Sequence, residues 1–201
     1  MNFLAFLAYS IIVTFTPGPA NVVILATVQN HGIRRGMEYS AGATLAFGML
    51  LGASAALSGS LADVMPWISR AMGVVGAAYM LYLAYGICTA DEPSKSDTDG
   101  VAGGAFRTGF VMQFINPKVV LFTLTVMSNF VTPYYTSPVQ VGAFVMLLTV
   151  IGCAAFVSWV LLGAVLKRFL HAYRRTVNLA LALLLAYSAF VVSGIKTMLS
   201  S

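Results

Sequence analysis

The chain has 201 residues, of which 59% are hydrophobic and 8% charged, and its mean hydropathy is +0.88. A soluble domain carries roughly a quarter charged residues, so this composition excludes a water-facing globule and turns most of the surface toward lipid. The net charge of +5 does not point to nucleic acid, because the basic residues fall in short loops between apolar runs, where they set topology.

Six runs reach the ~20 apolar residues that a spanning helix needs: 3–28, 38–62, 66–88, 107–132, 138–166 and 174–199. The opening MNFLAFLAYSIIV lacks the basic residues that begin a signal peptide and reads as part of a retained first span. Residues 90–104, ADEPSKSDTDGVAGG, are charged, rich in Gly and Ser, and without apolar period. They divide the chain into a three-helix half at 1–88, a linker at 89–106 and a second three-helix half at 107–201. Arg34 and Arg35 lie in the first loop, Lys95 and Arg107 in the third, and Lys167, Arg168, Arg174 and Arg175 in the fifth. The second loop has only Arg70 at its edge, and the fourth has no charge. The odd loops are therefore expected on the cytoplasmic side and both termini on the periplasmic side. With three spans each, related halves would cross the membrane in opposite senses. The expected fold is an all-α integral membrane protein of six helices in two inverted halves.

Helices one and four carry matching interruptions. In Thr16-Pro17-Gly18-Pro19-Ala20-Asn21, two prolines flank a glycine; a proline inside a helix costs ~3 kcal/mol and frees a carbonyl four residues back. At ~1.5 Å per residue, Pro17 lies roughly 20 Å from the outer end and 16 Å from the inner one, near the midplane. The second interruption is Phe114-Ile115-Asn116-Pro117-Lys118, with Pro117 ~15 Å deep from Arg107. Backbone freed at this depth is tolerated only where protein or a water-filled cavity satisfies it. Paired breaks in corresponding helices of two halves are a sequence pointer to a transport site.

Lys118 is the only basic residue well inside a span, where a lysine costs ~2.5–3.5 kcal/mol on insertion scales. Two roles fit it. Its charge, with the N–H groups of a freed helix N-terminus, suits the carboxylate of an amino acid or similar zwitterion. It also suits the unwound carbonyls of the first break, which would join the halves. Asn21 and Asn116 add amides that both donate and accept. Pro17, Gly18, Pro19, Asn21, Asn116, Pro117 and Lys118 form the expected transport site. Glu38, at the inner mouth of span two beside Arg34 and Arg35, and Lys118 itself are the candidates for gating or proton coupling. Asp63 reads as a helix-end residue. Tyr79 and Tyr82, deep in span three, are secondary substrate contacts or packing groups.

Other features read as structure. Gly48, Gly52, Ala56 and Ser60, and Ser69, Gly73 and Ala77, recur at four-residue spacing, as close helix packing or a homodimer contact requires. Trp67, Trp159, Tyr134 and Tyr135 sit where interfacial anchors belong. Cys88 and Cys153 form no CxxC pair, and His31 and His171 are too far apart in sequence to suggest a metal site. Without paired carboxylates, a Ser/His pair or a metal cluster, a membrane enzyme is disfavoured, and no cofactor is expected. A secondary transporter leads; a passive channel or structural subunit is the alternative.

The chain resembles the LysE/RhtB family of bacterial amino-acid exporters. TPGPAN in span one, HGIRRG in the first loop, GAAYMLYLAYGI in span three and FINPK in span four occur in the expected order, and the resemblance covers essentially the whole chain. The C-terminal RRTVNLALALLLAYSA further resembles the branch that exports cysteine and O-acetylserine. The resemblance implies an inner-membrane exporter of amino acids or close metabolites, driven by the proton motive force. It also implies that Pro17, Gly18, Pro19, Asn21, Asn116, Pro117 and Lys118 lie at or near the working site.

Overall fold

A computed structural model describes residues 1–57, 61–88, 104–166 and 172–192, which form helices joined by turns. The expected linker up to residue 103, with Lys95, falls outside the described residues. So do Ser60, Lys167, Arg168 and His171, and the side chains of residues 61–73 and of Arg174.

Helix α1, Phe3–Phe15, is capped by Asn2, whose side-chain oxygen accepts from the Ala5 N–H at 3.1 Å. It ends where the sequence leaves no choice. A residue before proline is pushed out of the helical region, and Thr16 is extended at φ −62°, ψ 135°. Helix α2, Pro19–His31, restarts with proline at its first position, where a missing N–H costs nothing. It stops at Gly32, whose φ of +85° is the only positive value among the described residues. There follow α3 (Ile33–Leu57), α4 (Leu61–Cys88), α5 (Gly104–Ile115) and α6 (Pro117–Val126). Helix α6 runs into a π-helical turn, Met127–Val131, and α7 (Pro138–Val165) and α8 (Arg174–Val192) complete the chain. Helix α4 already begins ahead of Pro66, and α5 takes in the last residues of the expected linker.

Both predicted breaks are present. Helices α1 and α2 meet at 45°, and α5 meets α6 with its π turn at 61°. Helices α3 and α7 are each long and apolar enough to cross a bilayer, and each bent pair qualifies when taken as one span. The side-chain-defined parts of α4 and α8 add shorter apolar stretches, Val74–Cys88 and Arg175–Phe190.

The two halves of the chain do not form separate lobes. Helix α3 packs chiefly on α5 and α7, α2 on α7, and α4 on α8, so the most extensive helix pairs cross from one half to the other. The α3–α5 crossing is the tightest. A Cβ on Gly42 would strike the Phe106 carbonyl, and one on Gly109 would strike the Tyr39 carbonyl. Each glycine admits the other helix's backbone, as small residues do in membrane bundles. The expected ladder behaves differently: Gly48 abuts Thr149 of α7, while Gly52 faces open space. Buried polar pairs also bridge the halves. Ser54 Oγ donates to Thr123 Oγ1 at 3.1 Å, and Gln29 Nε2 to Asn178 Oδ1 at 3.0 Å; such bonds contribute ~0.6 kcal/mol each in membrane proteins.

Candidate functional site

The first break leaves three residues, Thr16 to Gly18, outside any helix. In an unbroken helix the Thr16 and Pro17 carbonyls would accept from residues 20 and 21; the first backbone bond of α2 instead runs from Val22 N to Gly18 O, 3.0 Å. Two acceptors are thus freed on residues exposed at the break, and wherever water does not reach them each must find a donor in the protein. Asn21, one turn into α2, donates its Nδ2 to the Thr16 oxygen at 3.1 Å.

The second donor comes from the other half of the chain. Lys118 Nζ lies 2.5 Å from the Thr16 oxygen and 3.5 Å from that of Pro17. The second break sets up this reach. Asn116 caps α6 with its own side chain, Oδ1 accepting from the Lys118 N–H at 3.1 Å, and Pro117 occupies the first helical position. Lys118 therefore leaves the first turn of α6 directly opposite the first break. Gly18 makes room for it. A Cβ there would sit 2.9 Å from Lys118 Cδ and 3.2 Å from Nζ. Its φ of −161° is one that any residue adopts, so contact, not conformation, calls for glycine.

Of the expected site residues, Gly18, Asn21, Asn116 and Lys118 line one chamber of about 30 Å³. Pro17 contributes a carbonyl, and Pro19 and Pro117 are the buried starts of α2 and α6. Gly76 of α4 closes the second break from behind, where a Cβ would meet the Ile115 carbonyl and lie 3.3 Å from Pro117 Cδ. Phe47, Phe122 and Phe156 complete the chamber wall. Glu38 is elsewhere: it pairs with Arg35 at 2.6 Å and Arg34 at 3.4 Å on its own helix.

The space on either side of the breaks differs sharply. Toward the Asn2 end, aromatic rings form a continuous column. Phe156 meets Phe47, Phe47 stacks on Phe122, Phe122 on Tyr9, and Tyr9 on Phe130, with centroids 5.5–6.3 Å apart. Phe130, Phe6, Phe144 and Tyr135 carry it on to the turn before α7. Toward the Arg35 end lies a cavity of about 520 Å³, lined by Thr27, Arg35, Tyr39, Tyr79, Tyr82 and Thr108 among others. Tyr79 and Tyr82 thus belong to this second space and not to the breaks. No signal in the sequence singles out the aromatic column or Tyr39, because phenylalanine and tyrosine within apolar spans look alike whether they face lipid or a pathway.

Residues 11–195 match the LysE type translocator family model. A cysteine/O-acetylserine efflux protein of Klebsiella pneumoniae subsp. pneumoniae is 36% identical over 92% of this chain and 93% of its own length. The protein of that name from Escherichia coli strain K12 is also 36% identical, over 92% of this chain and 94% of its own. No solved structure matches the chain. The chain belongs to the LysE type translocator family, a transporter family and not an enzyme family, and within it groups with the cysteine/O-acetylserine efflux proteins.

Proposed function

We infer that this protein is a secondary active exporter of small amino acids, cysteine and O-acetylserine first among them, across the bacterial inner membrane. One observation carries the reading: a lysine from the second break is bonded to the carbonyls of the first, so that the two breaks are tied to each other. A substrate carboxylate competes with those carbonyls for the same ammonium. When it wins, the bond holding the breaks together is replaced by bonds to cargo, and the halves are free to part. Binding energy so coupled to one conformation is what alternating access requires. The proton motive force supplies the drive.

The helices are read as six spans in two inverted halves, with odd loops cytoplasmic and both termini periplasmic. The packing pattern supports this. If the halves interchange, the pairing of α3 with α5 becomes that of α7 with the first bent pair, while α4–α8 and α3–α7 map onto themselves; all four pairings occur. In that orientation the 520 Å³ cavity opens to the cytoplasm and the aromatic column closes the periplasmic side. A passive channel would need a continuous water path, which a 30 Å³ chamber under packed rings does not favour.

The test is the composition of the medium around exporter-deficient cells producing wild type or Lys118→Ala at equal membrane levels. Cysteine or O-acetylserine should accumulate outside only with wild type, and against its gradient. An unchanged medium with wild type overturns export of these compounds. Equal export by both keeps the function and leaves Lys118 as a structural tie.

A further inference from the structure

In this conformation the chamber at the breaks is too small for the cargo. It encloses about 30 Å³, room for a water or two, whereas sites for small organic molecules run to ~300–1,000 Å³. The cavity at the Arg35 end, about 520 Å³, has the needed size. Helix α2 connects the two spaces: Ala20 and Asn21 line the chamber, and Val23, Ala26 and Thr27 line the cavity. Asn21 and Thr27 are ~9 Å apart along the helix axis.

Tyr39 forms part of the cavity wall and is fully buried, yet its hydroxyl has no hydrogen-bond partner. Its backbone is fixed, because the close approach of Gly109 to the Tyr39 carbonyl pins this turn of α3 to α5. A buried hydroxyl left unpaired is unfavourable and calls for an explanation in a native structure. The neighbouring chemistry supplies one. Arg35, in the cavity wall and paired with Glu38, contributes a cation, while the Thr108 hydroxyl and the Tyr79 phenol line the same space with further acceptors.

We propose that this cavity is a second substrate site, which holds a small zwitterionic amino acid before the breaks part, and that the Tyr39 side chain, sealed off in the empty cavity, turns so that its hydroxyl donates to the carboxylate. The proposal rests on the exporter reading and extends it: cargo is selected at Tyr39 and handed along α2 to Lys118. Thr108 and Tyr79 accept from the ammonium group. Two sites in series also explain why the chamber at the breaks need not be preformed.

Calorimetry on the purified full-length protein in lipid nanodiscs tests this, with O-acetylserine and reduced L-cysteine as probes. Wild type should bind, and Tyr39→Phe should bind about tenfold more weakly, the loss of one charge-assisted hydrogen bond. Its melting temperature should hold or rise, since the variant removes an unpaired buried group. Thr108→Val, a second variant at the same cavity, should weaken binding roughly threefold. Lys118→Ala should bind within about twofold of wild type while failing to export. Binding abolished in Lys118→Ala but unchanged in Tyr39→Phe and Thr108→Val would place the cargo at the breaks, overturning the second site and sparing the exporter. No binding of either probe by wild type would overturn both.

Discussion

The two breaks, one between α1 and α2 and the other between α5 and α6, are chemically unlike. The second needs a single non-helical residue, Asn116, and satisfies itself, with its own side chain capping α6. The first spans three residues, has only a glycine at the start of α2, and leaves carbonyls that its own half covers incompletely. One break has an acceptor to spare and the other a donor. Two copies of the first would set carbonyl against carbonyl, and two of the second would set ammonium against ammonium. The asymmetry makes a bond between the two breaks possible, and on the proposed reading that bond is the one that cargo breaks.

Gly18→Val bears most heavily on this difference. Its side chain would occupy the space of the Lys118 stem, within 2.9 Å of Cδ, without straining a backbone already extended at φ −161°. Lys118 would be displaced from the Thr16 carbonyl. Export should fall by at least about tenfold at normal membrane levels, as expected where a charge-assisted bond of ~1.5–3 kcal/mol is lost. Full export would show that the bond is incidental.

A smaller effect is expected at the self-sufficient break. Asn116→Ala removes the α6 cap, worth ~1 kcal/mol, and the melting temperature of the purified protein should drop by ~2–4 °C. Asn116→Asp and Asn116→Ser, which keep a capping oxygen, should recover most of it. If alanine leaves the melt unchanged, the second break is supported by packing against Gly76 and not by its cap.

Much of this arrangement was legible in the residues. Proline has no N–H and dictates the residue before it, so the positions of both breaks followed from Pro17, Pro19 and Pro117 alone. The helices that begin at Pro19 and Pro117 follow the same rule. The two roles open to Lys118 were also readable; which of them this conformation adopts was not, because a contact across about a hundred residues depends on how the halves pack. The tight crossing was misplaced for a related reason. Four-residue spacing marks Gly48 and Gly52 as a small-residue face, but the helix partner decides which glycines are used, and α5 uses Gly42 with Gly109. Tyr39 gave no signal at all, since an unpaired hydroxyl is visible only once its surroundings are.

The smallest effect is expected furthest from the breaks, at Glu38. It lies in the second turn of α3, four residues after Arg34 and three after Arg35, and both pair with it. Arg34 is 91% exposed and Glu38 about a third exposed, so water screens the pairs and each contributes ~0.2–1 kcal/mol. Glu38 lines neither the chamber nor the cavity. A coupling carboxylate needs access to both sides of the membrane in turn, and a residue held at one helix start by its own neighbours is poorly placed for that. Glu38→Gln should therefore shift stability by no more than ~1 kcal/mol and leave the pH profile of export in inverted vesicles unchanged. It should also remove the carboxylate from beside the Arg35 guanidinium in the cavity wall, slightly lowering the substrate concentration at half-maximal rate. A pH profile that flattens instead would bring Glu38 into the proton path and make the breaks only one of two centres on which transport depends.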